Sequence, residues 1–124
     1  MKLNHPLMDN NLSRSDMNSV GKLIRKKKIV LTQSENVKKF EKQWSKWAGV
    51  KYSVFVNSGS SANFLTISLL KILNKNKNKN EIIVPSLTWV SDINSVIMNG
   101  FKPIFVDINF SNLSMSIDDV IKKI

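Results

Sequence analysis

Met17, Val20 and Ile24 recur at spacings of three and four, the first helical period in the chain, and the basic run Arg25-Lys26-Lys27-Lys28 suits its last turn. Ser15 or Asp16 is expected to cap this helix. Leu31-Thr32-Gln33 is a short connection. A second helix is expected from about Ser34, with Val37, Phe40, Trp44 and Trp47 along one stripe and Gly49 as its stop. Its two tryptophans read as packing anchors.

The pattern then changes. Residues 52–57 form a short apolar run that predicts a strand. It ends in the turn Ser58-Gly59-Ser60-Ser61, and a helix carrying Ala62, Leu65, Leu69, Ile72 and Leu73 follows at once. Residues 74–80 alternate Asn and Lys with no apolar position and predict a surface loop. Glu81-Ile82-Ile83-Val84 predicts a buried strand closed by Pro85. Ser91 or Asp92 opens the next helix, with Ile93, Val96 and Ile97 inward and Gly100 past its end, and Ile104-Phe105-Val106-Asp107-Ile108 predicts a third strand.

Strand, helix, strand, helix, strand in this order implies right-handed crossovers and an α/β fold: a three-layer, mostly parallel sheet with helices on both faces, preceded by two helices. Residues 1–14 read as a polar lead and 15–124 as one partial domain. Ser116-Ile117-Asp118-Asp119 is a plausible cap for a last helix whose Ile117, Val120, Ile121 and Ile124 find nothing to pack on. The expectation is therefore the N-terminal portion of a longer enzyme.

Composition removes several function classes. In 124 residues there is no cysteine, so disulfides and thiolate metal sites are excluded, in keeping with a cytoplasmic setting. No apolar run is long enough to span a membrane, and the first residues lack the apolar region of a secretory signal. His5 has no partner pattern around it, so no metal site is expected. The net charge of +10 raises nucleic-acid binding, but the basic residues are almost all Lys, whereas base readout and bidentate phosphate clamps favour Arg. The accompanying excess of Asn and Ile fits a compositional bias, and the basic runs read as solvated surface.

Candidate chemistry gathers where the strands end. In parallel sheets ligands sit beyond the carboxyl ends of the strands, and those ends carry residues 58–61, then 85–89, then Asp107. Free N–H groups at a helix start, with the positive end of the helix dipole behind them, form an anion site suited to phosphate. Ser58, Ser60 and Ser61 add hydroxyl donors there, and Gly59 permits close backbone approach. Plain helix capping by serine is the competing reading of the same residues.

Asn57-Ser58-Gly59-Ser60-Ser61-Ala62-Asn63, then Ile83-Val84-Pro85-Ser86-Leu87-Thr88-Trp89, then Gly100 through Pro103 to Phe105-Val106-Asp107-Ile108, resemble the pyridoxal-phosphate-dependent sugar aminotransferases of the DegT/StrS family, of fold type I. Leu31-Thr32-Gln33, Phe40-Glu41 and Gly49-Val50-Lys51-Tyr52 resemble that family's lead, so the likeness runs from about Met17 to Ile124. It implies that Gly59, Ser60 and Ser61 hold the phosphate of pyridoxal 5'-phosphate, with pyridoxamine phosphate as the alternate form, and that Trp89 stacks on the pyridine ring. Ordinary core packing is the other reading of Trp89. Ser86 and Thr88 line the same strand end, whereas Asp107 reads as bonding loop amides.

The resemblance puts the Schiff-base lysine, and the aspartate that meets the pyridinium nitrogen, beyond this segment. No residue here is assigned a catalytic role, and the segment alone is expected to be inactive. The intact enzyme is expected to be a cytoplasmic homodimer that moves an amino group, from glutamate, to a keto group of a nucleotide-linked sugar for polysaccharide or deoxyaminosugar assembly. The same resemblance admits a nucleotide-sugar 3-dehydrase working with pyridoxamine phosphate, in which histidine replaces the lysine. From other classes, a basic nucleic-acid module predicts salt-sensitive DNA binding and no affinity for the cofactor, and an inert truncated product predicts neither.

Overall fold

The structure is a computed structural model that describes residues 10–76 and 78–124; His5 and most of the polar lead lie outside the described residues. Its contacts divide the chain into two compact units, Met1–Phe55 and Val56–Ile124.

In the first unit, helix α1 (Arg14–Ile24) is capped by Ser13, ahead of the Ser15 or Asp16 that the sequence suggests. Asp16 N–H donates to Ser13 Oγ at 3.2 Å, and Asp16 Oδ2 accepts from Ser13 N–H at 2.9 Å. Asp16 is thus the third helical residue of a reciprocal capping box rather than the cap, since only from there can a carboxylate reach back to the cap amide. Helix α2 (Glu35–Ala48) starts behind Ser34 as expected and stops at Gly49, whose φ of 70° is the left-handed conformation that ends helices. Phe40, Trp44, Trp47 and Phe55 form a chain of ring contacts: Phe40 and Trp44 stack with centroids 5.9 Å apart, Phe40 meets Phe55 edge-on at 5.3 Å, and Trp44 and Trp47 are tilted at 4.8 Å. All four remain substantially exposed.

The strand expected at residues 52–57 is not formed. The segment is fastened to α2 by side chains instead. Ser45 Oγ donates to Ser53 Oγ at 2.8 Å, and Phe55 N–H donates to Glu41 Oε1 at 2.8 Å. An extended run becomes a strand only when a neighbouring backbone takes up its N–H and C=O groups, and no described residue does so here.

The second unit contains α3 (Gly59–Leu73), β1 (Glu81–Pro85), α4 (Val90–Met98), β2 (Lys102–Val106) and α5 (Ile117–Lys123). β1 and β2 pair in parallel, Glu81 opposite Lys102 and Pro85 opposite Val106. The described sheet is therefore a two-stranded α/β core rather than the expected three strands. β2 ends earlier than predicted because Asp107 C=O turns to accept Ser116 N–H at 2.8 Å, and Ile108 makes an isolated antiparallel bridge to Met115.

Alternation along the strands decides what is buried. Val84 joins Val96 of α4 and Phe101 in the core, with Ile82, Ile93 and Ile67 packed against it. Val106 has the opposite parity and is 1% exposed, on the strand that α5 contacts, so helices serve both faces. One expectation fails here: Ile97 is exposed. Leu65, Leu69, Ile72 and Leu73 of α3 are exposed as well. α3 is apolar around much of its circumference and only Ile67 meets this core, a composition that suits a helix covered on several sides. No helix among the described residues is long and apolar enough to cross a membrane.

Candidate functional site

Two helix N-termini form the site, and side-chain hydrogen bonds hold them together. Ser58 caps α3: its Oγ accepts from Ser61 N–H at 3.1 Å, and its C=O accepts from Ala62 N–H at 3.1 Å. The Ser58 hydroxyl donates to Ser61 Oγ at 3.1 Å, and that hydroxyl donates to Asn57 Oδ1 at 2.7 Å. The turn is a closed chain of short polar side chains, which gives the segment its shape without any ligand.

Gly59 and Ser60 are the first two residues of α3, and neither N–H has an acceptor among the described residues. The same holds for the Ser60 hydroxyl. α3 is 15 residues long and has no acidic residue in its first turn, so its partial positive charge is uncancelled there. These donors suit a phosphate dianion. Ser61 differs, because its N–H and O–H are both engaged inside the turn. A phosphate at this end would meet Gly59 and Ser60 first and would recruit Ser61 only by displacing Ser58.

Gly59 needs no unusual backbone angle, and a Cβ built on it would meet nothing within 4 Å. The fold itself therefore has no steric demand for glycine at this position.

α4 begins directly after β1 through Ser86–Trp89, ahead of the start expected at Ser91 or Asp92, with Trp89 as a cap residue that makes no side-chain cap bond. Asp92, in the first turn of α4, accepts from Asn63 Nδ2 of α3 and from Thr88 Oγ1. Further along, Ser68 Oγ of α3 donates to Asn99 Oδ1 at 2.8 Å, and Asn99 Nδ2 donates to Ser95 C=O at 2.8 Å. The two ties follow in the same order along both helices, so α3 and α4 run parallel with their N-termini at one end. That end is the carboxyl end of the parallel strands. The free donors of Gly59 and Ser60 thus share an edge with Trp89.

Trp89 is 70% exposed, so core packing does not account for its indole. Asp107 Oδ1 accepts from Ile108 N–H at 2.7 Å, the loop-amide role expected of it, and Asp119 Oδ2 accepts from Asp107 N–H at 2.9 Å. Ser86 N–H donates to Val106 C=O at 2.9 Å and extends the sheet pairing to the rim.

Sequence reasoning missed Asn57, Asn63 and Asp92 as organisers of the site. No periodic signal marked Asn63 or Asp92, since their helical neighbours include Ser60, Thr66, Ser95 and Asn99.

A family model for the DegT/DnrJ/EryC1/StrS aminotransferase family matches residues 11–124. The chain is 34% identical over 118 residues, 94% of its length, to a GDP-4-keto-6-deoxy-D-mannose 3-dehydratase of Yersinia pseudotuberculosis. It is 30% identical over 95 residues, 77% of its length, to a GDP-perosamine synthase of Vibrio cholerae. Among solved structures it resembles the Escherichia coli GDP-4-keto-6-deoxy-D-mannose-3-dehydratase with bound hydrated PLP, with a TM-score of 0.81 and 31% identity over 100% of this chain. The chain spans 30% of the Yersinia relative, 25% of the Vibrio relative and 32% of the solved structure.

Proposed function

Because the chain belongs to the DegT/DnrJ/EryC1/StrS aminotransferase family, we propose that the protein carrying this segment is a pyridoxal-phosphate enzyme acting on a nucleotide-linked keto-sugar. The segment supplies the end of the site that grips the cofactor. The observation carrying this reading is the juxtaposition of two unpartnered amides and a free hydroxyl, at Gly59 and Ser60, with an exposed indole at Trp89 on the same sheet edge.

The residues divide the work. Gly59 and Ser60 donate to the phosphate, and Ser61 with Ser58 and Asn57 keeps the turn in shape. Trp89 covers one face of the ring and excludes water from it. The bound cofactor supplies an electron sink for bonds broken beside its nitrogen. Nothing in this segment is assigned to move protons; that role falls to the lysine or histidine expected elsewhere in the protein.

Two reactions fit. Removal of the sugar's C3 hydroxyl is favoured by a specific observation: the dehydratase relative is matched over 94% of the chain at 34% identity, and the synthase relative over 77% at 30%. Amino transfer to the keto carbon, with glutamate as donor, is the second reading and accords with the family as a whole.

The test is mass spectrometry of the product after the intact protein is incubated with a GDP-linked 4-keto-6-deoxyhexose, cofactor and glutamate. Loss of the C3 hydroxyl as water, with two electrons supplied by the pyridoxamine form of the cofactor that glutamate regenerates, yields a sugar lighter by one oxygen atom, and amino transfer exchanges the keto oxygen for an amino group. If neither appears while the cofactor binds with Ser60→Ala affinity unchanged from wild type, both the substrate and the site assignments fall.

A further inference from the structure

Asp92 is a polar side chain of the second unit that the proposed chemistry does not use, and it links α3 to the loop before α4. Its two oxygens are shared out, Oδ1 to Asn63 of α3 and Oδ2 to Thr88 of the loop leading into α4. It is half-buried and pairs with no cation; the described ion pairs are Lys38–Glu35 and Lys102–Glu81, both exposed and elsewhere. A carboxylate at the third position of α4 is favoured by the helix dipole, which offsets part of the cost of removing it from water. The dipole does not require either partner. Helix stability alone leaves unexplained why both acceptor atoms are aimed at groups beside the two halves of the site.

Those groups flank the two halves of the site. Asn63 lies one turn inside α3 from Gly59 and Ser60. Thr88 immediately precedes Trp89, whose own side chain makes no cap bond and is open to solvent. Resting on the cofactor reading above, we propose that Asp92 is a positioning residue. By bonding Asn63 and Thr88 together it fixes the spacing between the phosphate donors of α3 and the indole of Trp89, and so decides whether one ligand meets both.

The proposal separates two binding properties. Phosphate contact depends on α3 alone, whereas simultaneous phosphate and ring contact depends on the clamp. Thr88→Val keeps the shape of the side chain and removes the donor. Asp92→Asn keeps the acceptor facing Asn63 and turns an N–H toward Thr88, whose hydroxyl oxygen accepts it. Asp92→Ala removes both bonds.

The experiment uses the full-length protein with pyridoxal 5'-phosphate and, separately, inorganic phosphate as probes. Affinities for both are measured, with the visible circular dichroism of bound cofactor and the thermal midpoint of the free protein. Thr88→Val and Asp92→Ala are expected to weaken cofactor affinity roughly 10-fold and to reduce the visible dichroism per bound cofactor, while phosphate affinity stays within about 2-fold, as expected from the loss of charged-group hydrogen bonds. Asp92→Asn is expected to recover most of the dichroism. If Thr88→Val and Asp92→Ala leave dichroism and cofactor affinity at wild-type values, or lower cofactor and phosphate affinity equally in step with the thermal midpoint, Asp92 is structural and the proposal is overturned. Ser60→Ala serves as the separate check on the parent reading, because it lowers affinity for both probes if the phosphate site is correct, whatever Asp92 does.

Discussion

Replacing Gly59 by alanine separates the needs of the fold from those of a ligand. Nothing within 4 Å awaits a Cβ at this position, and the backbone lies outside the left-handed region. Alanine therefore fits the folded chain and removes conformational freedom from the unfolded one, a gain of about 0.4–1 kcal/mol where the conformation is compatible. Gly59 also carries one of the two unpartnered amides at the start of α3. A phosphate drawn close to that amide would meet the new methyl group. Loss of one hydrogen bond to a charged group is worth about 1.5–3 kcal/mol, roughly a 10- to 100-fold loss of affinity. The two effects have opposite signs, which few substitutions offer.

Urea unfolding of the free protein gives the first quantity, and absorbance titration with pyridoxal 5'-phosphate gives the second. The expected result is a higher unfolding midpoint together with weaker cofactor binding. Unchanged affinity would mean that no ligand approaches Gly59, and the phosphate assignment at this turn would have to be abandoned. A lowered midpoint would refute the reading that the fold tolerates a side chain here.

Three further outcomes follow from the same geometry. Ser58→Ala removes the side-chain cap of α3 and should cost about 0.5–2 kcal/mol of stability in urea unfolding, while freeing Ser61 N–H. Trp89→Ala should change stability by no more than about 0.5 kcal/mol, because the indole is largely exposed, yet weaken cofactor binding several-fold in the same absorbance titration. Asp16 is held below the ordinary carboxylate value, first by its bond to the Ser13 side chain and then by the Ser13 amide. A depressed folded value means that its contribution is present above the unfolded value and lost as pH falls through the folded one. Carboxyl titration by NMR should show this low midpoint, and Ser13→Ala should move it upward; an unmoved midpoint would assign the shift to something other than the capping box.

Much of both units was readable from local pattern. Ser34, Gly49 and Ser116 mark helix ends through the backbone groups they satisfy, an effect confined to a few neighbouring residues. The chain order of β1, α4 and β2 implies parallel pairing for the same local reason: a helix between two strands brings them back in the same direction. The turn at residues 58–61 was legible because small hydroxyl residues at a helix start have few other uses.

What the pattern left open depended on residues distant in sequence. Residues 52–57 form a short apolar run like a buried strand, but a strand requires a partner backbone, and Glu41 and Ser45 hold the segment instead. The leucines of α3 gave no sign of which face would be covered, because a helix apolar on several sides takes its orientation from its neighbours.

The ends of α2, the cap of α5 and the serine turn were determined by the sequence itself, since each rests on bonds spanning three or four residues. The pairing of Asn63 with Asp92, the exposure of Trp89 and the common edge of α3 and α4 were decided only by the tertiary structure. The Asn63–Asp92 contact joins residues 29 positions apart, and no periodicity encodes which polar residue on one helix will meet which on another.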